Sequence, residues 1–586
     1  MKDINMVIEI CGSAGEGTIS AGEILSRFMS SQGFEIMSFD SYPAEIRGFG
    51  KCVAHTRISS DLIYSSGKLA DVLIALNDNH AISQLPSLKE NGMLIYDSQP
   101  PKPHKEDKSV VGWAKPGMIS YGIPLNMLAH KAAGNSRGMN MVALGALAAL
   151  FHVNKQGFTD SIKTRYSKKK QIVIDSNVNS FLEGYNWTKE NIKKTDSYSF
   201  EGIKLPQKKE KLIITGNQLV AQAALDANLA FYAGYPITPA TKIMEILSKE
   251  LPKHGGTLLQ TEDEIAAIGA VIGAGYGGKR AMTATSGPGF ALMTEFTGLS
   301  VMAEVPAVII NSQRAGPSTG MPTKTEQSDF NSAIFGGTGD CPRIVLAPTD
   351  TKSCYEATVL ALYLAEKYQT LVVVLLDFFL SNSIKNIEIP QKPSPEYLKA
   401  NIAPNIDDLK DYQRYKLTEN GISPRAIPGT PGGIFFSTGL EHNEYGRPDY
   451  SQSCHLKMTQ KRFKKFNCVL SEAPKPEISV TGKSEFDIGV ISWGSSAGAA
   501  HEAVMSAQKQ GINASSFSSM MISPFPEKAL IEFSNKCEKI LIPELNFSGQ
   551  FAKFATSILK RPVEKLNFIT GRPMASEDIL QKIRDM

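Results

Sequence analysis

No two of the seven cysteines in this 586-residue chain are separated by two residues; they lie scattered at 11, 52, 341, 354, 454, 468 and 537. Zinc sites, iron–sulfur clusters and disulfide frameworks need grouped thiols, so none is expected and the cysteines read as free. Long hydrophobic runs are missing too. The longest, about residues 139–153, falls short of the roughly 20 residues that cross a bilayer. From Met1-Lys-Asp-Ile4 the chain runs straight into a strand-like segment, without the residue order of a secretory leader. These absences predict a cytoplasmic protein with no membrane partner. Net charge is +4 and widely spread, which argues against a nucleic-acid partner.

What is present is ordinary for a globular protein, 42% hydrophobic and 20% charged residues, in a chain long enough for three or four domains. Residues 6–10 read as a buried strand entering Gly12-Ser-Ala-Gly-Glu-Gly-Thr18, and residues 19–29 have helical spacing. Further strands at 34–39, 71–76 and 92–97 predict an α/β domain with a parallel sheet. From about 154 to 211 the chain turns polar and marks a boundary, and its lysine runs, Lys168-Lys-Lys170 and Lys208-Lys209, read as solvated linker. A strand at 212–215 opens a second unit with strands at 257–260, 281–285, 305–311, 343–347 and 371–377, and helices at 263–274 and 355–367. Residues 390–466, rich in Pro, Gly and polar side chains, read as a long surface excursion. A strand at 486–493 starts a third α/β unit, closed by a strand at 539–544 and a C-terminal helix. No short-period repeat is present.

Several well-known motifs almost occur. Gly494-Ser-Ser-Ala-Gly498 fits a nucleophile elbow, but the one histidine after Ser496 is His501, on the next helix, so a tight strand-to-helix turn is expected. Gly273-Ala-Gly-Tyr-Gly-Gly-Lys-Arg280 resembles a phosphate loop with Arg280 in place of the Mg²⁺-binding hydroxyl and with helix and strand in the wrong order. The turn at Gly12, Gly15 and Gly17, with Asp40 about twenty residues on, misses the dinucleotide spacing, and Glu16 sets a carboxylate where phosphate would lie. A structural turn, or contact with another phosphorylated ligand such as coenzyme A, is expected ahead of NAD. Glu441-His-Asn-Glu444 has no helical histidine pair and reads as surface hydrogen bonding; His501-Glu502 reads as a solvent-facing helix end.

The most informative stretch is Ala233-Gly-Tyr-Pro-Ile-Thr-Pro-Ala-Thr241. Its two prolines fix φ and bias Tyr235 and Thr238 to extended conformations, which aims the threonine hydroxyls, although a rigid helix-capping turn needs the same residues. Glu264 then opens a helix apolar almost all round, as a cap or as a carboxylate at a site. Ser286-Gly-Pro-Gly289 and Arg314 follow.

With Asn311-Ser-Gln-Arg-Ala-Gly-Pro-Ser-Thr-Gly-Met-Pro-Thr-Lys-Thr-Glu-Gln327, Ile422-Ser-Pro-Arg425, Gly439-Leu-Glu-His-Asn-Glu444 and Lys461-Arg462, these blocks resemble the α subunit of 2-oxoacid:ferredoxin oxidoreductases. Ala44-Glu-Ile-Arg-Gly48 and the strand at 53–59 are similar to the family's separate γ subunit, so the resemblance spans nearly the whole chain as a γ–α fusion. It implies three parallel-sheet α/β domains: a γ-type domain at 1–190, a linker at 191–210, a thiamine diphosphate pyrimidine-binding domain at 211–390, an irregular excursion at 391–480 and a transketolase C-terminal-like domain at 481–586. It further implies that Tyr235, Pro236, Ile237, Thr238, Ser286 and Gly287 wall the cofactor. Glu264 would hydrogen-bond the pyrimidine so that the cofactor acts as base. Arg314 would clamp the substrate's 1-carboxylate, with Thr238 assisting.

The family's diphosphate-binding domain carries a G-D-G turn followed by a metal-binding Asn. Here Gly339-Asp340 is followed by Cys341, and no Asn appears before Asn382. The resemblance therefore implies a β subunit that supplies Mg²⁺ and [4Fe-4S], an (αβ)2 assembly, and ferredoxin and coenzyme A as further reactants. Thr323 and Lys324 offer a hydroxyl and an ammonium to a distal carboxylate, which favours 2-oxoglutarate over pyruvate or branched-chain 2-oxoacids. The rival readings are an NAD-linked enzyme built on the N-terminal turn and a non-catalytic nucleotide-binding or scaffold subunit.

Overall fold

A run of apolar residues makes the first strand, and the glycines behind it turn the chain. β1 (Asn5–Ser13) is buried along most of its length, as a strand covered on both faces must be. Gly15 and Gly17, both at positive φ, lead into helix Thr18–Gln32. A computed structural model describes residues 3–43, 50–99, 109–203, 205, 210–399, 410–479 and 483–586. The Ala44-Glu-Ile-Arg-Gly48 turn and Lys208-Lys209 lie outside the described residues. Two units are formed, Met1–Ile214 with Ser383–Ile389, and Thr215–Asn382 with Pro390–Met586. No described helix is long and apolar enough to cross a membrane, and all seven cysteines are free.

In the first unit β1, β4 (Ala70–Ala75), β5 (Leu88–Asp97) and β6 (Ile119–Ile123) run parallel. β3 (Lys51–Ser59) departs from the expected parallel sheet by pairing antiparallel with both β1 and β2 (Glu35–Ser41). The connection from β2 to β3 is too short for the dozen or more residues that a parallel crossover needs. A strand from far along the chain, β14 (Ile384–Ile387), pairs antiparallel with β2, and β7 (Leu212–Thr215) lies at the edge beside it. β7 thus completes this sheet, where the sequence suggested the opening of the next unit. Asn386 fixes the added strand: its Oδ1 accepts from Ile36 N at 3.0 Å, and its Nδ2 donates to Phe34 O at 2.8 Å and Ser30 Oγ at 3.0 Å.

The polar boundary stretch is largely two helices, Lys155–Tyr166 and Gln171–Asn191, with the exposed Lys168-Lys-Lys170 between them. Each buries only a narrow stripe, Phe158 and Ile162 in one and Val178 and Phe181 in the other, so composition hides them. Helices Met139–Leu150 and Gln171–Asn191 touch backbone to backbone. A Cβ on Gly145 would lie 2.1 Å from Phe181 O, and one on Gly184 2.1 Å from Val142 O.

The second unit holds two sheets. β8 (Phe231–Gly234), β9 (Thr257–Gln260), β10 (Ala281–Thr285), β11 (Ala307–Gln313), β12 (Ile344–Leu346) and β13 (Leu371–Asp377) run parallel in the order β12-β13-β11-β10-β8-β9. The other sheet has parallel strands β16 (Phe486–Ser492), β17 (Ala514–Ser518), β19 (Cys537–Glu544) and β20 (Glu564–Asn567), with β15 (Glu477–Ile478) antiparallel at its edge. β18 (Met521–Ser523) crosses back to pair antiparallel with β12. One core joins the two, with Ile309, Val373 and Phe330 in the same cluster as Trp493, Phe517 and Phe551.

Within the excursion, helix Gln452–Lys464 and residues 410–450 are held by buried charge. Lys461 Nζ donates to Glu304 Oε1 at 2.6 Å, Lys465 Nζ lies 2.5 Å from Glu304 Oε2, and Arg414 donates to Glu304 O at 2.6 Å. Glu304 is wholly buried, and although burial alone would raise its pKa, the two lysines and Arg414 hold it well below the usual carboxylate range. His442 is also wholly buried, its ring nitrogens 3.0 Å from Asn443 O and 3.2 Å from Met302 O. The surface reading of Glu441–Glu444 is corrected here: the fold wraps the histidine with backbone acceptors that sequence proximity does not reveal.

Asn386→Ala is expected to destabilise the first unit by about 1–3 kcal/mol, since it strands a buried donor and acceptor. Hydrogen exchange at the Ile36 amide checks it; unchanged protection there counts against the assignment. Glu304→Gln leaves two buried ammonium groups without a counter-charge and should cost about 3–5 kcal/mol. Because the folded pKa of Glu304 lies below its ordinary 4.5, its contribution is complete above that pH and lost as pH falls. Acid melting curves of wild type and variant should therefore begin to converge as pH falls below about 4.5 and go on converging toward the strongly lowered folded pKa.

Candidate active site

In the seven-stranded sheet β9, β8, β10 and β11 are adjacent and parallel, so their carboxyl ends open along one edge. In open α/β sheets that edge is where ligands bind. β8 ends at Gly234 and hands over to Tyr235-Pro-Ile-Thr-Pro; β9 leads to Glu264; β10 leads to Ser286 and Gly287; β11 leads to Arg314. The fold thus brings four separated motifs to one sheet edge.

Tyr235 and Pro236 are exposed, while Ile237 and Thr238 are partly buried. Ile237 O accepts from Thr241 N at 3.0 Å, at the start of helix Thr241–Glu250. The Thr238–Pro239 bond is cis, and Asn217 Nδ2 donates to Pro239 O at 2.9 Å. Arg314 Nη1 donates to Thr238 O at 2.8 Å, which ties the loop after β8 to the end of β11.

Glu264 is the first residue of helix Glu264–Tyr276 and is 6% exposed. Asp263 is the N-cap, its side chain accepting from Ala266 N at 2.8 Å, so capping does not occupy the Glu264 carboxylate. A Cβ on Gly289 would sit 2.5 Å from Glu264 Oε1 and 2.2 Å from Thr285 Oγ1. The glycine turn is therefore what lets this carboxylate stand at the sheet edge. Ser286 precedes helix Gly287–Leu292 without capping it, and its Oγ is buried with no partner.

Arg314 is 7% exposed, and its Nε is buried without a partner. Burial lowers its pKa; the carboxylates of Asp329 and then Glu264 act the other way. The segment after it folds back on itself, with Ala315 N donating to Lys324 O at 3.0 Å, so Lys324 returns beside the residue that follows Arg314. Thr323 is buried, and the stem of Lys324 packs against Gly571, where a Cβ would lie 3.0 Å from Lys324 Cβ.

Sequence reasoning passed over three residues here. Asn311 and Gln313, two apart on β11 and so on one face, both hold Asp329. Asn311 Nδ2 donates to Asp329 Oδ2 at 3.0 Å, and Asp329 N donates to Gln313 Oε1 at 3.0 Å. Burial, with Glu326 acting in the same direction, pushes the Asp329 carboxyl up to about 6 against the pull of Asn311 and Arg314. The available signal was a pair of polar residues at the end of an otherwise apolar strand.

The near-miss motifs resolve into structure. Ser496 is buried with its hydroxyl donating to Trp493 O at 2.8 Å, and the Ser495 hydroxyl donates to Asp377, so the Gly494–Gly498 turn presents no nucleophile. Arg280 spends its guanidinium on the carbonyls of Ala227, Tyr397 and Lys399. In the N-terminal turn Glu16 Oε2 accepts from Ser13 N at 2.6 Å, so a side-chain carboxylate already occupies the donor that a phosphate would use. Glu502 accepts from Ser576 Oγ at 3.1 Å, and it and His501 are partly buried, which corrects the solvent-facing reading. No group of three or more metal-ligating side chains occurs among the described residues.

Known proteins resemble this chain along its whole length. Residues 222–461 match the family model "Pyruvate flavodoxin/ferredoxin oxidoreductase, thiamine diP-bdg", residues 7–187 "Pyruvate ferredoxin/flavodoxin oxidoreductase", and residues 487–579 "Pyruvate:ferredoxin oxidoreductase core domain II". The α subunit of 2-oxoacid:ferredoxin oxidoreductase 2 from Aeropyrum pernix is 30% identical, covering 100% of this chain and 98% of its own. The KorA subunit of 2-oxoglutarate oxidoreductase from Mycobacterium tuberculosis is 31% identical over 99% of this chain and 91% of its own. A solved 2-oxoglutarate:ferredoxin oxidoreductase from Magnetococcus marinus, with 2-oxoglutarate, coenzyme A and succinyl-CoA bound, superposes with a TM-score of 0.92 at 36% identity over all of both chains. Family model, full-length relatives and shared fold coincide, and the chain belongs to the 2-oxoacid:ferredoxin oxidoreductase family as an α-type subunit of a multi-subunit oxidoreductase.

Proposed function

We propose that this subunit works in the coenzyme A-dependent oxidative decarboxylation of 2-oxoglutarate, or the reverse reductive carboxylation, with ferredoxin as electron partner. In this reading a β subunit completes the thiamine diphosphate site and brings Mg²⁺ and the [4Fe-4S] cluster, in an (αβ)2 assembly in the cytoplasm. The observation that carries it is the convergence at one sheet edge of an uncapping carboxylate, Glu264, with unspent buried polar atoms: Ser286 Oγ, Asn311 Oδ1 and Arg314 Nε. Buried polar groups are normally satisfied, so a polar ligand suits this edge, and the residues fit the pyrimidine side of thiamine diphosphate.

When bound, thiamine diphosphate supplies the nucleophilic carbon that makes loss of CO₂ from a 2-oxoacid possible. Glu264 would hold a ring nitrogen of the pyrimidine, while Tyr235, Pro236, Ile237, Ser286 and Gly287 wall the ring. Arg314 offers its free Nε to the 1-carboxylate, its Nη1 anchored on Thr238 O. Thr238 orients the substrate through its hydroxyl, and Thr323 with Lys324 meets the distal carboxylate. The two relatives named for 2-oxoglutarate support that substrate over pyruvate and branched-chain 2-oxoacids.

Co-purification of the chain with a cluster-bearing partner, then a 2-oxoacid panel assayed for viologen reduction with coenzyme A, tests the assignment; preference for pyruvate would overturn the substrate. Glu264→Gln should fold and assemble normally yet lose at least about 100-fold in turnover, the scale of an acid–base group. Arg314→Lys should raise KM at least about tenfold, one lost charge-assisted hydrogen bond. Gly289→Ala should displace Glu264 and match Glu264→Gln in turnover, while lowering Tm as an overpacked site does; wild-type turnover there would show that the Glu264 position is immaterial.

A further inference from the structure

Segments from two sheets meet at Lys324. Its own segment leaves β11 after Arg314, and the bend at residues 570–572 follows β20 of the five-stranded sheet. Thr325 N donates to Gly571 O at 3.3 Å. A Cβ on Gly571 would lie 3.0, 3.2 and 3.4 Å from Cβ, Cγ and Cδ of Lys324, so the bend runs along the lysine stem. Gly571 also has a φ of +69°, so backbone conformation and close packing both reserve that position for glycine. On its other side Lys324 O accepts from Ala315 N at 3.0 Å. Contacts therefore run unbroken from Ala315, next to Arg314, through Lys324 to Gly571. The residue after that glycine is Arg572, which is exposed and whose N–H donates to Thr570 Oγ1 at 3.3 Å. Its guanidinium forms no hydrogen bond or ion pair among the described residues. The carboxylate on the Lys324 segment, Glu326, is engaged elsewhere: it accepts from Gly316 N at 2.8 Å and from Ser328 Oγ at 3.1 Å.

We propose that Arg572 is a specificity-determining residue: with Lys324 it forms a cationic pair, one member from each sheet, that takes the distal carboxylate of a dicarboxylic 2-oxoacid. The proposal rests on the reading of Lys324 as a ligand of that carboxylate and adds a second group to it. Consecutive Cα atoms are about 3.8 Å apart, and the arginine stem is longer than that step, so the guanidinium reaches the space beside the Lys324 ammonium. Its planar fork holds a carboxylate through two parallel hydrogen bonds, which an ammonium alone does not. The diacid then lies with its 1-carboxylate at Arg314 and its far end between the two segments. Two cations side by side repel each other until an anion comes between them. A 2-oxoacid with an apolar tail leaves that repulsion in place, whereas 2-oxoglutarate removes it.

The test compares kcat/KM for 2-oxoglutarate with kcat/KM for 2-oxobutyrate, whose tail is uncharged, in the assembled enzyme. Arg572→Gln should lower that ratio at least about tenfold, the size of one charge-assisted hydrogen bond. Calorimetry with glutarate and butyrate, which bind without turnover, should show the preference for the diacid shrinking by a similar factor. Arg572→Lys keeps a charge in place and should retain most of the preference; a lysine variant as impaired as the glutamine one would mark a structural role and overturn the proposal. An unchanged ratio overturns it too. So does a KM for coenzyme A that rises equally with both 2-oxoacids, because the guanidinium would then serve a phosphate. If Arg572→Gln does not assemble, Arg572→Met keeps the apolar stem and must give the same loss. The two readings fail separately. A ratio unaltered by Lys324→Gln removes the distal-carboxylate reading itself, whereas a ratio that falls with Lys324→Gln and stays with Arg572→Gln removes only the second cation.

Discussion

Gln327 spends every polar group it has on one task. Its N–H donates to Leu545 O at 2.7 Å, its Nε2 to Trp493 O at 2.9 Å, its Oε1 accepts from Leu545 N at 3.2 Å, and its carbonyl accepts from Asn546 Nδ2 at 3.0 Å. Trp493 and Leu545 follow β16 and β19, so these bonds fasten the segment after Arg314 to the carboxyl edge of the five-stranded sheet. A wholly buried side chain with all its groups paired has one low-energy position. The constraint reaches further: a Cβ on Gly494 would lie 2.6 Å from Gln327 Nε2, and Thr325 N donates to Gly571 O at 3.3 Å. The segment bearing Thr323 and Lys324 is thus shaped by the C-terminal sheet as much as by the strand it leaves.

Charge supports the same arrangement from the opposite direction. Glu304 lies just before β11 and collects Lys461, Lys465 and Arg414 in a fully buried group. Buried ion groups rarely add net stability over an apolar replacement, but they define one partner geometry. Here they give an excursion that has little regular structure a fixed attachment beside the sheet. Burial pushes the Lys465 ammonium down to about 7, which records how far these charges are from water.

Much of the site was legible in sequence because glycine, proline and charge at strand ends have few structural alternatives. Glu264, Ser286, Gly287 and Arg314 fall just after predicted strands, and Tyr235 to Thr238 follow β8, a strand the sequence did not reveal; the four strands are neighbours. What was missed shares one cause, dependence on partners distant in the chain. Asp329 becomes unusual through desolvation and a glycine forty-two positions away; Asp263 relieves Glu264 of capping; the helices at 155–191 bury too few residues to show a clear apolar face. The strand Ile384–Ile387 has only four residues, and no local pattern says which sheet a strand that short will join.

The sequence by itself determined the family, the α/β class and the residue types gathered at one sheet edge, because strand periodicity, turn residues and motif spacing are local properties. Tertiary structure alone decided the antiparallel β3, the return of Asn386 to the first sheet, the wrapping of His442 and the anchoring of Arg314 on Thr238 O. Those depend on which distant groups share a desolvated space, and burial is set by the whole fold, not by neighbours in the chain.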